Sequence, residues 1–301
     1  MTEPDTDALI ASLEASRAQF LELVASVRPD LHRYCARMTG SLADGEDVVQ
    51  DTLARAYFQL SELSELPLLR PWLFRIAHNR AIDQLRRNAH RASAPLEEAT
   101  DTAGDPAAQP EHALAHRQAV QTAVSSFVEL PATQRACVIL KDVLDESLDD
   151  IGVLLDMKLA AVKSALHRGR AALRERALAT AVHNAPEPSA NVVRYARLFN
   201  ARDWDGIRSL LAADARLDLV SRRKLQGRDA VGVYFTNYDR IGGWRLAPGR
   251  LDGGEVLLVW TDGNAEKPAY FVQLEWDGAL LRAIRDFRYV PYILQDFAAA
   301  G

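Results

Sequence analysis

Apolar residues recur at three- and four-residue spacing from Leu9 onward, as in Leu9, Leu13, Phe20, Leu23, Val24 and Val27. That period predicts amphipathic helices up to about Arg91. Pro29 suits the opening of a second helix, and Gly40 with Ser41 its close. Asp44 is the expected N-cap of the next helix, GEDVVQDTLARAYFQL, whose first turn is crowded with acids that suit the helix dipole. Residues 61–70 hold two Leu-rich fragments around Pro67 and read as a loop. Pro71 then fits the first turn of PWLFRIAHNRAIDQLRR, an amphipathic helix with a Trp near its start and a basic end.

The pattern breaks over residues 93–112, where Ala, Pro, Asp, Glu, Thr and Gly replace large apolar residues and predict a flexible acidic linker. Helical spacing returns over 113–182. Within it Ser147 caps a short helix carrying Leu148, Ile151, Leu154 and Leu155, and Asp156-Met157-Lys158 makes a tight turn. A second helix follows, with Leu159, Val162, Leu166 and Leu173 expected inward and Lys163, Ser164, His167, Arg168 and Arg170 outward. This is a helix-turn-helix by pattern, although a basic solvated helix end would read much the same. Beyond a spacer at 183–188 the period changes. Short helices at 192–200, 205–211 and 229–238 precede alternating or β-branched runs at 215–220, 256–261, 270–276 and 280–289. Gly242-Gly243, Gly253-Gly254, Asp262-Gly263 and Asp277-Gly278 supply turns. Helices followed by hairpin-joined strands predict an α+β domain.

Bulk composition narrows the class without naming it. The chain has 301 residues, of which 48% are hydrophobic and 26% charged, as in ordinary globular proteins with room for several cores. No apolar run reaches the roughly 18–20 residues needed to span a bilayer, so no membrane contact is expected. The acidic start MTEPDTDALIASLEAS lacks a signal-peptide core and points to the cytoplasm. Cys35 and Cys137 each lie in an apolar-periodic segment, which argues against disulfides and Cys-based metal sites. A net charge of −5 argues against a protein that coats DNA indiscriminately. Lys158, Lys163, Arg168, Arg170, Arg174 and Arg176, opposed only by Glu175, form a local basic stripe with the footprint of a directed nucleic-acid contact.

Several motifs in order then make the chain similar to the extracytoplasmic-function sigma factors of bacterial RNA polymerase. DGEDVVQDTLARAY resembles the family's region 2.2, PWLFRIAHNRAIDQLRR regions 2.3 and 2.4, LPATQRACVILKDVLDESLDDIGVLL region 4.1 and the start of 4.2, and VKSALHRGRAALRE the recognition helix. The resemblance implies two all-α domains, a region 2 helical bundle at 1–92 and a region 4 helix-turn-helix at 113–182. It implies core RNA polymerase, through its clamp helices, and promoter DNA as partners. Glu46, Asp47, Gln50 and Asp51 would dock on the clamp, or serve only as an acidic helix start. Asn79, Arg80, Arg86 and Arg87 would handle the −10 element, with Asp83 orienting an Arg and the 61–70 loop holding a flipped base. Trp72 is either a stacking platform or a core residue. Lys158, Lys163, Ser164, His167, Arg168 and Arg170 would meet the −35 element, the first three nearer the bases. Ala165 stands where many relatives have Arg, which would give this chain its own promoter preference.

Residues 189–301 exceed what ordinary members carry. FNARDWDGIRSLLAADARLDLVSRRKLQGRDAVGVYF resembles the opening of the SnoaL-like, nuclear-transport-factor-2-like fold, a curved sheet wrapped by helices around a conical pocket. The whole is thus expected to be multidomain: two helical sigma domains and a C-terminal NTF2-like α+β cone that tunes their activity. Asp214, Asp218 and Asp286, with Tyr234, Tyr238 and Arg228, are the polar candidates for that pocket. An unknown small ligand is one possible occupant; a domain packed solid against its partners is the other reading. No catalytic residue, metal or cofactor is expected, and the chain is not expected to be an enzyme. The competing class is a helix-turn-helix regulator fused to a small-molecule-binding or enzymatic NTF2-like domain.

Overall fold

The computed structural model describes residues 3–60, 67–92, 124–179, 187–239, 242–252, 254–261 and 266–295. The chain divides into two compact units, Met1–Val182 and His183–Gly301. The expected linker at 93–112, the beginning of the 61–70 loop, the Asp262-Gly263 turn and much of the 183–188 spacer lie outside the described residues.

The first unit opens with α1 (Glu3–Val24), α2 (Arg28–Thr39), α3 (Leu42–Leu60) and α4 (Leu69–Ala92). Pro29 lies in the first turn of α2, where its missing N–H is not needed, and Gly40 ends the helix at φ 80°. The N-cap of α3 differs from expectation. The helix begins at Leu42, so Ser41 takes the capping position and its Oγ accepts the Asp44 N–H at 3.3 Å. Asp44 remains in the first turn, where its charge still faces the helix dipole. Gly45 lets α3 cross α2 closely: a Cβ there would lie 2.5 Å from the Ala36 backbone.

A 3₁₀ turn (Val124–Glu129) leads into α5 (Ala132–Val138), which widens into a π turn (Ile139–Val143). The helix-turn-helix follows as α6 (Leu148–Leu155) and α7 (Leu159–Ala179). Ser147 caps α6 by accepting the Asp150 N–H at 3.0 Å, and Asp156 makes the turn at φ 54°. Both sets of helices share one core, in which Leu31, Tyr34, Leu73 and Phe74 belong to the same cluster as Phe127, Leu130, Val138 and Val162. Two arginines join the sets. Arg135 is buried and donates to the carbonyl oxygens of Met38, Val128 and Leu130. Arg70 donates to Asp30 and Glu146, each at 2.8 Å.

In the second unit α8 (Ala190–Asn200) is capped by Ser189 and α9 (Trp204–Leu210) by Asp203. Then come β1 (Leu211–Leu219), β2 (Arg223–Gln226), α10 (Arg228–Tyr234), a single helical turn (Thr236–Asp239), β3 (Arg245–Leu251), β4 (Gly254–Trp260), β5 (Tyr270–Asp277) and β6 (Leu280–Asp286). They form a six-stranded sheet in the order β2-β1-β6-β5-β4-β3. β1 and β6 run parallel, and the other neighbours are antiparallel. Register shifts interrupt β1–β6 between Leu211 and Arg216 and β5–β6 between Glu275 and Trp276, the irregularities that bend a sheet. One face carries Leu217, Leu246, Val259, Val272 and Ile284, which line a small enclosed space with Tyr195 and Phe199 of α8. This mixed sheet with helices laid on it is the expected α+β architecture.

Candidate nucleic-acid interface and C-terminal pocket

The acidic cluster of α3 splits between two faces. Asp47 and Asp51 are exposed and Gln50 half-buried, at spacings that put all three on one side. Glu46, expected beside them, is turned inward. It falls in the buried stripe with Val49, Leu53 and Ala56, and Arg28 holds its carboxylate at 2.7 Å. A carboxylate 0% exposed needs such a counter-charge. Asp51 also lies 3.8 Å from Arg55 and 3.5 Å from Arg80, so it ties α3 to α4.

On α4, Asn79, Arg86 and Arg87 are exposed and Arg80 is half-buried. Asp83 pairs with Arg80, in the orienting position expected of it. Arg87 donates to Gln84 at 2.8 Å. Trp72 is 9% exposed and sits in the core cluster, which decides between its two readings in favour of packing. Arg75, exposed one turn before Asn79, extends the basic face and was not singled out by sequence; its i, i+4 spacing to Asn79 was the signal available. Beneath this face the Tyr34 hydroxyl and His78 Nδ1 share a hydrogen bond of 2.6 Å, and burial pulls the His78 pKa down to about 4.

The recognition helix α7 packs differently from its hydrophobic pattern. Leu159, expected inward, is 42% exposed, because it stands in the first turn, ahead of the packed stretch. The seam instead runs through Val162, Ala165, Leu166 and Gly169. A Cβ on Gly169 would meet Val138 at 2.6 Å, so α7 and α5 approach closely at that point. Ala165 is fully buried in this seam, and its small side chain serves packing. Ser164 is also buried, and its Oγ accepts from Arg168 at 2.9 Å. Arg170 clasps the buried Asp142 through Nε and Nη2, the Nε bond at 2.8 Å. Lys158, His167 and Arg174 are exposed, and Lys163 and Arg168 are half-buried. The outward basic surface is therefore Lys158, Lys163, His167, Arg168 and Arg174, while Ser164 and Arg170 stand behind it.

In the second unit the candidate acids separate. Asp214 is exposed, and Asp218 pairs with Lys224 at 3.5 Å and Arg285 at 4.0 Å. Arg228 is exposed and donates to the Leu211 carbonyl at 2.9 Å. Asp286 alone of the three lies inside, 3% exposed. It accepts the Tyr238 hydroxyl at 3.0 Å and the Arg288 backbone N–H at 2.9 Å, and Tyr234 and Tyr238 hydroxyls lie 3.2 Å apart. Burial raises the Asp286 pKa above the usual carboxylate value against the lowering effect of those bonds, and raises that of Tyr234 to about 12.

Comparison with known proteins bears on the helical unit first. The sigma-70 region 2 profile matches residues 23–91 and the sigma-70 region 4 profile residues 126–173. SigG, an extracytoplasmic-function RNA polymerase sigma factor of Mycobacterium tuberculosis, is 31% identical over 225 residues, 66% of this chain and 60% of SigG. The chain therefore spans less than two thirds of that relative's length. SigM of the same organism is 31% identical over 169 residues, 56% of this chain and 82% of SigM. Among solved structures, the sigma factor SigJ of Mycobacterium tuberculosis superposes with a TM-score of 0.35 at 19% identity, over 88% of this chain and 95% of SigJ.

Proposed function

The chain belongs to the extracytoplasmic-function family of RNA polymerase sigma factors, and from that premise we propose that it is an alternative sigma factor that directs core polymerase to a specific set of promoters. The observation that carries the reading is the ordered pair of matches, region 2 over 23–91 and region 4 over 126–173, each laid on a helix with an outward basic face. Asp47, Gln50 and Asp51 present the polar face of α3 to the polymerase clamp helices, and Glu46 holds that helix in place through Arg28. Arg75, Asn79, Arg86 and Arg87 line the −10 side, with Arg80 and Asp83 bracing them. Lys158, Lys163, His167, Arg168 and Arg174 form the −35 side.

Strand opening needs no side-chain chemistry in this scheme. Each base-pair step lost is worth roughly 1.4 kcal/mol, to be offset by captured bases and polymerase contacts, so the protein acts only with core enzyme. The second unit modulates that activity and is read as a ligand-binding module. Transcription reconstituted from this chain and core polymerase on selected promoter DNA tests the reading. Specific transcripts should require both components, and Arg168→Ala, at a position read as nearer the phosphates, should lower the salt slope of promoter binding by about 0.9. Tight operator binding without polymerase, and no transcripts with it, would instead favour a helix-turn-helix regulator.

A further inference from the structure

A cavity of about 590 Å³ opens beside the β3 and β5 ends of the second unit. Small-molecule sites are typically about 300–1,000 Å³. Among the described residues two cations, Lys267 and Arg288, line it, and no carboxylate does. Trp244 and Tyr270 line it with their rings nearly perpendicular, 73° between planes and centroids 6.2 Å apart, beside Pro268, Pro291 and Leu294. The Arg288 guanidinium lies 4.4 Å from the centroid of the Trp244 ring, and among the described residues it makes no ion pair. The Trp244 indole N–H is buried and has no acceptor among the described residues. Asp286, the nearest buried acid, is sealed beneath: Tyr238 and the Arg288 backbone occupy its oxygens.

The geometry points to a binding site for a small planar organic anion, an aryl carboxylate in chemical class. Its ring packs on the apolar lining of Trp244, Pro268, Pro291 and Leu294, where apolar surface is removed from water. Its carboxylate meets Arg288 and Lys267. Charge-assisted bonds of this kind are the strong ones, so a carboxylate gains more at these two cations than a neutral amide does. The inference rests on the reading of the second unit as a ligand-binding module and not on the transcriptional role.

Titration calorimetry of the full chain with 2-naphthoate, salicylate and indole-3-carboxylate tests it, with 2-naphthamide and acetate as comparisons. At least one aryl carboxylate should bind saturably, one per chain, about tenfold or more tighter than the amide or acetate. Arg288→Gln and Lys267→Gln should each weaken binding by about tenfold, and Trp244→Phe, which keeps a ring and removes the N–H, by less. Lys267 is exposed, so its substitution and the amide comparison on the native chain remain decisive if Arg288→Gln fails to fold. Absence of saturable binding across the three carboxylates, equal affinity for the amide, or native affinity in Lys267→Gln would overturn the site. Promoter-specific transcription is measured separately, so its success or failure leaves this result distinguishable.

Discussion

Glu46 and Arg170 carry opposite signs, stand on different helices and do the same work. Each is a charge that sequence assigns to a partner surface and that packing assigns to the interior. Glu46 shares its stripe with Val49 and Leu53, and that spacing was legible in the sequence; what hid its role was Arg28, eighteen positions away. Arg170 is bound to Asp142, a pairing that no local pattern announces. Removing one member of a buried pair destabilises by about 3–5 kcal/mol. Glu46→Ala and Arg170→Ala should therefore lower the melting temperature of the helical unit, whereas Lys163→Ala should leave it nearly unchanged while weakening DNA binding. His78 adds a pH dependence. Its folded pKa of about 4 lies below the ordinary value of 6.5, so the unfolded chain takes up a proton first as pH falls. The stability present above pH 6.5 should decline between about 6.5 and 4, by on the order of 3 kcal/mol if this residue acts alone. His78→Gln should flatten that decline in denaturant titrations across the range.

At the scale of elements, strong periodicity made α1 to α4 and the helix-turn-helix readable, including the Ser147 cap and the Asp156 turn. Element ends were less legible, because a cap is decided by one hydrogen bond: Ser41 rather than Asp44 begins α3. Two strands were missed for different reasons. β2, Arg-Lys-Leu-Gln, is largely exposed and carries no alternation, and β3 contains Pro248 and Gly249, which read as a turn. β3 accepts them as an edge strand that pairs only with β4. Close helix approach was equally invisible. Gly45 should be improved by Ala on helix propensity, by about 1 kcal/mol, yet the added Cβ would press on the Ala36 backbone. Overpacking of that kind costs about 1–3 kcal/mol, so Gly45→Ala should lower the denaturation midpoint on balance.

For the molecule as a whole, the change from three- and four-residue spacing to alternation marked where one unit gives way to the other. The single core that joins α2 and α4 to α5 and α7 was not legible, since Leu31 and Phe127 belong to separate periodic segments with no local sign of contact. The charge distribution was legible: an acidic chain with a basic face on α7. A chain ending at residue 182 retains the first unit entire. It should keep a cooperative helical melt and bind core polymerase, while its transcription in the reconstituted assay rises or falls relative to the full chain. Unaltered transcription would remove the modulating role proposed for the second unit.

The parallel pairing of β1 with β6 has a consequence in time. Among the described strands β1 is the first of its sheet to be synthesised and β6 the last, yet they lie side by side. During translation the helical unit can settle while the sheet still lacks its middle, and β1 waits with only β2 beside it. The second unit therefore closes in one late step, when β6 slides between β1 and β5 and brings Asp286 into its cage of tyrosines. A ribosome that stalls before Leu280 would release a finished helical unit bearing an open sheet with two unpaired edges.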